Sequence, residues 1–173
     1  MRIGLDFDNT LVRYDHVFAL ESKKLGIMPA SWTGSKQELR DELQLRPDGE
    51  QLWQALQGRV YGSGMEQAVM FPGVAPFLMR SRQRGDDLFI VSHKTEFGHF
   101  DLTRTPLRQE ALMWMESNGF FEQSRFGLMK ECVFFADTRC EKVEQIAHLN
   151  LDIFIDDLEE VFAEEAFPPI KKV

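Results

Sequence analysis

Short apolar runs alternate along this chain with longer stretches in which apolar residues recur every three or four positions. That alternation predicts a parallel sheet covered by helices on both faces. Four strands are expected, over residues 2–6, 87–91, 132–136 and 152–155. Each runs into polar or acidic residues: Asp6-Phe7-Asp8, Ser92-His93-Lys94, Asp137-Thr138-Arg139 and Asp156-Asp157. Ligands of open parallel sheets bind beyond the carboxyl ends of the strands. Polar groups at four such ends are the pattern a site would leave in a sequence.

The helical stretches carry start and stop signals. Ser35 with Glu38 and Thr138 with Glu141 have capping-box spacing. Thr105-Pro106 opens a helix through Leu107, Ala111, Leu112 and Met115, with Gly119 just past its end. Phe71-Pro72-Gly73 precedes another, closed by Gly85. The Met, Trp and Phe stripes read as core. About 80 residues separate the first two strands, where a simple crossover needs about a dozen. The surplus predicts helices over 16–25, 35–45 and 50–61. Residues 15–70 are therefore expected to form a small helical cap inserted into a core made of 1–14 and 71–173, with a lid as its natural role.

Composition narrows the function classes. The chain has 173 residues, enough for one domain carrying an insertion. Acids outnumber bases 28 to 20, and the net charge of −8 disfavours a nucleic-acid polymer or an anionic membrane as partner. A phosphorylated small molecule stays open, because a local cation reverses the field inside a pocket. Two cysteines, Cys132 and Cys140, make no disulfide framework. Without an early apolar run or a stretch near the roughly 20 residues that cross a bilayer, the expected location is the cytoplasm. The oligomeric state is not legible.

Asp6 and Asp8 stand two residues apart at one strand end, and Asp156 and Asp157 close another. Carboxylates held together repel unless a cation neutralises them or one keeps its proton. A hard divalent cation that takes oxygen ligands accounts for them, and Mg²⁺ suits few carboxylates better than Ca²⁺, for which no EF-hand loop is present.

Asp6-Phe7-Asp8-Asn9-Thr10-Leu11 resembles the Asp-x-Asp-x-Thr signature of the haloacid dehalogenase (HAD) superfamily. Ile90-Val91-Ser92 is similar to its second motif, Lys142 to the lysine of the third, and Ile155-Asp156-Asp157 to the acidic fourth, in the family's order. The spacing from Thr138-Arg139 to Asp156-Asp157, with a lysine between, is similar to the deoxyribonucleotidase branch. The resemblance implies an α/β fold: a three-layer, HAD-like (Rossmannoid) parallel sheet with a small helical cap. It implies a phosphohydrolase in which Asp6 attacks phosphorus, Asp8 serves as acid and then base, Ser92 binds a phosphoryl oxygen and Lys142 offsets charge. Mg²⁺ would be held by Asp6, the backbone carbonyl of Asp8, Asp156 and, in support, Asp157.

Alternatives stand beside these roles. Lys130 and Arg139 compete with Lys142, and Asp157 equally suits a cap for a helix over 158–166. Asn9 and Thr10 shape the first loop and lie where substrate would bind. The loop from His93 to Asp101 offers His93 and Lys94 to the substrate, a metal set of His93, His99 and Asp101, or simply polarity. Arg13, Tyr14 and Arg59 are further contact candidates. The expected activity is hydrolysis of a small phosphomonoester, a sugar phosphate or nucleotide. Transfer to another acceptor (a phosphotransferase or phosphomutase) or a non-catalytic binding module are the rivals; dehalogenation is disfavoured because Asp8 is present.

Overall fold

A computed structural model describes residues 1–173. The strands are β1 (Arg2–Leu5), β2 (Val12–Arg13), β3 (Val69–Met70), β4 (Asp87–His93), β5 (Val133–Ala136), β6 (Ile153–Ile155) and β7 (Lys171–Lys172). The helices are α1 (Asp15–Lys24), α2 (Lys36–Gln44), α3 (Gly49–Tyr61), α4 (Val74–Arg84), α5 (Leu107–Ser117), α6 (Arg139–His148) and α7 (Glu159–Phe162). Two compact units result: Met1–Arg13, Met70–Thr95 and Met115–Val173 make the first, Tyr14–Val69 and Glu96–Trp114 the second.

The first unit is built on a parallel sheet in the order β5-β4-β1-β6-β7. Its α/β character is the expected one. From β1 the chain steps outward through β4 to β5, then returns to the other side of β1 as β6. That reversal makes the carboxyl end of β1 a topological switch point, where a ligand crevice belongs. Phe89 and Val91 of β4 pack with Val143 and Ile146 of α6, Phe154 of β6 and Val161 of α7. Leu88 and Ile90, which alternate with them and point the other way, are buried as well, so both faces are covered. Gly4 is in the middle strand because a Cβ there would collide with the side chains of Leu151 and Phe154.

Start and stop signals translate into geometry with two adjustments. Gly85 closes α4 at φ 72°, a conformation cheap for glycine alone. Thr138 caps α6 by accepting the Glu141 N–H, but the Glu141 carboxylate accepts from the N–H of Asp137 rather than closing the box on Thr138. The helix expected over 158–166 is only the single turn of α7, with Leu158 at its N-cap. Asp157 is therefore not the capping residue; the Leu158 N–H donates to Asp156 Oδ1 at 3.0 Å. Strand β7 has no counterpart among the expected strands, since Lys171-Lys172 lacks any apolar signal.

The second unit packs α1, α2 and α3 around Phe18, Leu39, Leu43, Leu56 and Val60, all fully buried. Phe18 stacks on Trp53 with ring centres 5.1 Å apart, and Tyr14 meets Tyr61 edge to face at 4.9 Å. Ser35 and Glu38 close both halves of the box that starts α2. The stretch Glu96–Trp114 belongs to this unit, where the sequence places it with the core. Gly58 and Gly98 explain why: a Cβ on Gly98 would press on the Gly58 backbone at 2.5 Å, so the loop lies directly on α3.

Candidate active site

The site lies at the carboxyl end of the sheet in the first unit. Asp6 follows β1 and Asp156 follows β6, adjacent strands in register through Leu5 and Ile155. The Asp6 N–H continues the ladder onto the Ile155 carbonyl at 2.8 Å. The two acids are thus neighbours by construction. Lys142, on the second turn of α6, reaches between them: its Nζ donates to Asp6 Oδ1 at 2.6 Å and to Asp156 Oδ2 at 2.7 Å. Its side chain is 1% exposed. Of the three basic residues weighed for this place, Lys130 pairs instead with Glu116 and Arg139 with Glu164.

Charge in this cluster is not balanced. Burial disfavours the ionised form of Asp6, and its pKa is pushed up to about 7; Lys142 opposes that rise, while Asp156 and Asp8 add to it. Lys142 suffers the same burial, but the carboxylates of Asp6 and Asp156 outweigh it and hold its pKa above the ordinary lysine value. Asp6, Asp156 and exposed Asp157 each present an oxygen within 4.8 Å of the others. Three carboxylates at that spacing, with one of them straining to keep a proton, form an all-oxygen donor set that fits a hard divalent cation.

Asp8 is not one of this trio; it makes an ion pair with Lys94 at 2.8 Å. The loop between Asp8 and β2 turns tightly. Asn9 takes φ 61°, its N–H donates to Val12 O at 2.9 Å, and Leu11 N–H returns to Phe7 O at 3.0 Å. Asparagine is among the few residues that adopt this left-handed conformation readily. Thr10 Oγ1 is buried with no hydrogen-bond partner, and so is Oγ of Ser92, whose residue is wholly inaccessible. Hydroxyls left this way cost stability unless something visits them. Ser92 falls inside β4 rather than just beyond it.

His93 Nε2 contacts the Asp137 carbonyl at 3.0 Å. His93 is in the first unit and His99 and Asp101 in the second, where Asp101 accepts both the N–H and hydroxyl of Thr103. The Tyr14 hydroxyl is spent on Met65 Sδ inside the second unit, and Arg59 there lies 3.9 Å from Glu21. Sequence reasoning offered Lys94 to a substrate and did not see its pairing with Asp8. Ser92 and Lys94 are two residues apart, and alternation puts them on one side of the extended chain, which groups them without naming Asp8 as the partner.

The parallel sheet and its switch point match the haloacid dehalogenase-like fold that the resemblance implies. Solved structures agree at the level of fold. The chain superposes on protein tyrosine kinase A of Mycobacterium tuberculosis with a TM-score of 0.64 and 16% identity, over 99% of this chain and 81% of that one. It superposes on a haloacid dehalogenase-like family hydrolase of Streptococcus pneumoniae with a TM-score of 0.59 and 15% identity, over 99% and 82%. A HAD family hydrolase of Deinococcus radiodurans with bound phosphate and sodium gives 0.50 and 16%, over 91% and 72%. In sequence the chain is 24% identical to a putative nucleotidase of Oceanobacillus iheyensis over 162 residues, 91% of this chain and 77% of the relative. No family model matches it. No helix is long and apolar enough to cross a membrane.

Proposed function

We propose that this protein is a Mg²⁺-dependent phosphohydrolase that cleaves a small phosphomonoester, a nucleotide or sugar phosphate, through an aspartyl-phosphate on Asp6, and that it works in the cytoplasm. The observation that carries the reading is Asp6 itself: a buried carboxylate at the switch point, held by Lys142 at 2.6 Å and crowded by Asp156. The sequence relative whose name is nucleotidase favours nucleotides within the substrate class.

In this reading Asp6 forms a bond to phosphorus as the ester oxygen leaves with its electron pair and takes a proton from Asp8. Water then attacks the same phosphorus, gives its proton to Asp8 and releases Asp6 and inorganic phosphate. Lys142 keeps the attacking carboxylate oriented and offsets its charge as the dianionic phosphoryl group approaches. Ser92 and Thr10, the two unpartnered hydroxyls, donate to phosphoryl oxygens. Asp6, Asp156 and Asp157, with the carbonyl of Asp8, would hold Mg²⁺, which supplies positive charge to draw together an anionic nucleophile and an anionic substrate. Asn9 sets the turn that aims Asp8, and His93 lies at the margin of the same strand end.

Assay against a panel of phosphomonoesters tests the proposal. Release of phosphate should require Mg²⁺, stop with a chelator and disappear in Asp6→Asn. Hydrolysis that survives Asp6→Asn would remove the nucleophile from the argument. Phosphate appearing on an added alcohol in place of water would make the protein a phosphotransferase instead.

A further inference from the structure

Asp6 and Asp8 each have a lysine of their own. Lys94 directly follows β4, and its ammonium meets Asp8 Oδ2 at 2.8 Å, with 2% of the Lys94 side chain and 18% of the Asp8 side chain exposed. Its backbone is fixed to the sheet edge, the N–H donating to the Ala136 carbonyl at 2.9 Å. Nζ also lies 5.8 Å from the centre of the Phe7 ring, between the two acids in sequence. Lysine is among the residues least often buried, and taking its charge out of water costs several kcal/mol. A site that needed only volume here would hold methionine. Lys142 already faces the nucleophile, so the second ammonium has a different object. Asp8 must turn its carboxyl in one direction twice per cycle, first to the leaving oxygen and then to water. A carboxyl on a loop, free to rotate about χ2, would meet that direction only part of the time.

We propose that Lys94 is a positioning residue for Asp8: it grips Oδ2 so that Oδ1 faces the ester oxygen. The inference rests on the phosphomonoesterase reading and adds to it a dependence on the leaving group. When the phosphorus–oxygen bond breaks, the departing oxygen takes the proton carried by Asp8, and the following water restores that proton to Asp8 as its oxygen bonds to phosphorus. An alkoxide leaving group needs the proton; a nitrophenolate does not. In the step that expels the leaving group Lys94 therefore matters for alkyl esters and little for activated aryl esters, whereas the attack of water that follows is common to both. A lysine that bound the phosphate directly would matter equally for both, because they share the phosphoryl group.

The test compares Lys94→Met and Lys94→Arg with the unaltered protein on 4-nitrophenyl phosphate and on the best alkyl ester or nucleotide of the panel. Lys94→Met should lower kcat/KM, which reports the step that expels the leaving group, by about 100-fold on the alkyl ester and by less than about 5-fold on the aryl ester, with inhibition by inorganic phosphate within about 2-fold. Lys94→Arg, which keeps a charged donor, should recover part of the alkyl loss. Equal losses of kcat/KM on the two esters, or weaker inhibition by inorganic phosphate, would make Lys94 a substrate ligand and overturn the proposal. Unchanged kcat/KM on the alkyl ester would reduce the pair to a structural contact. If Lys94→Met does not fold, Lys94→Gln carries the same comparison. An unaltered protein that hydrolyses neither ester would sink the parent reading, whereas an active one with uniform losses sinks this inference alone.

Discussion

The two ends of the central sheet carry charge in opposite ways. At the amino end, charges are matched and, apart from the Asp86 carboxylate, exposed. Asp86 accepts from the Met1 ammonium and from Arg84, and those hydrogen bonds hold its pKa below the usual carboxylate range. Arg2 donates to the Leu149 carbonyl, lies 4.6 Å over the Phe89 ring and faces Asp87 at 3.6 Å, while its backbone N–H donates to Asp152. At the carboxyl end, Asp6 and Asp156 are buried, repel each other and share one lysine, and a hydroxyl is left without a partner. Both ends are polar and each is tied to the same strands. Only one is polar in a way that raises the free energy of the fold. Matched surface charge closes a structure; mismatched buried charge is retained for what it does to a ligand.

The contrast breaks most severely at Lys142. Lys142→Met leaves Asp6 and Asp156 buried with no cation between them, and breaking such a pair costs about 3–5 kcal/mol. Urea unfolding at pH 7 should register that loss, and hydrolysis should vanish with it. A loss below about 1 kcal/mol would mean that water reaches these acids freely and that the carboxyl end is no different from the amino end.

Acidity sharpens the same contrast more gently. The folded-state pKa of Asp6, about 7 against 3.8 unfolded, means that the folded protein binds this proton more tightly. Its contribution to stability is complete below the unfolded value and is lost as pH rises through the folded one. The metal-free protein should therefore weaken by a few kcal/mol between about pH 4 and pH 8 on this account. Asp6→Asn should flatten that slope, and Mg²⁺ should offset it in the unaltered protein. Thermal unfolding across pH, with chelator and with metal, reads both effects. Asp86 runs the other way: its lowered pKa supports the fold above its unfolded value, and that support is lost only as the pH falls through the folded one.

How much of this was legible in the sequence follows from which physical signal each residue carries. The four strands of the sheet core announce themselves because a strand buried on both faces must be a short apolar run. Asp6 and Asp156 were legible as partners because strand ends are visible and chain order limits which ends can meet. Lys171-Lys172 was not, because an edge strand of two lysines pairs through its backbone alone and leaves no pattern. The union of Glu96–Trp114 with the second unit was hidden for a similar reason. It depends on the close approach of Gly58 and Gly98, and a glycine contact has no side chain to periodically repeat. Lys94 was visible as a residue but not as the partner of Asp8, since nothing local distinguishes a lysine turned to a ligand from one turned to an acid 86 positions earlier.

The mildest tests are at residues that the comparison says should matter little to chemistry. Thr138→Ala removes the oxygen that accepts the Glu141 N–H, and loss of an N-cap costs about 1 kcal/mol. The effect should be mostly on stability, but α6 also carries Lys142, so a small drop in kcat would report how firmly that helix end fixes the lysine. At the opposite end, Asp87→Asn removes one partner of a 3.6 Å contact whose acid is 66% exposed. Exposed pairs are worth about 0–1 kcal/mol, and Arg2 keeps its carbonyl and its aromatic face without Asp87. Unfolding should shift by that little and kcat should not move at all. A change in kcat from Asp87→Asn would show that the two ends of the sheet are energetically coupled, and that the separation drawn between charge that closes the fold and charge that serves a ligand does not hold along β4.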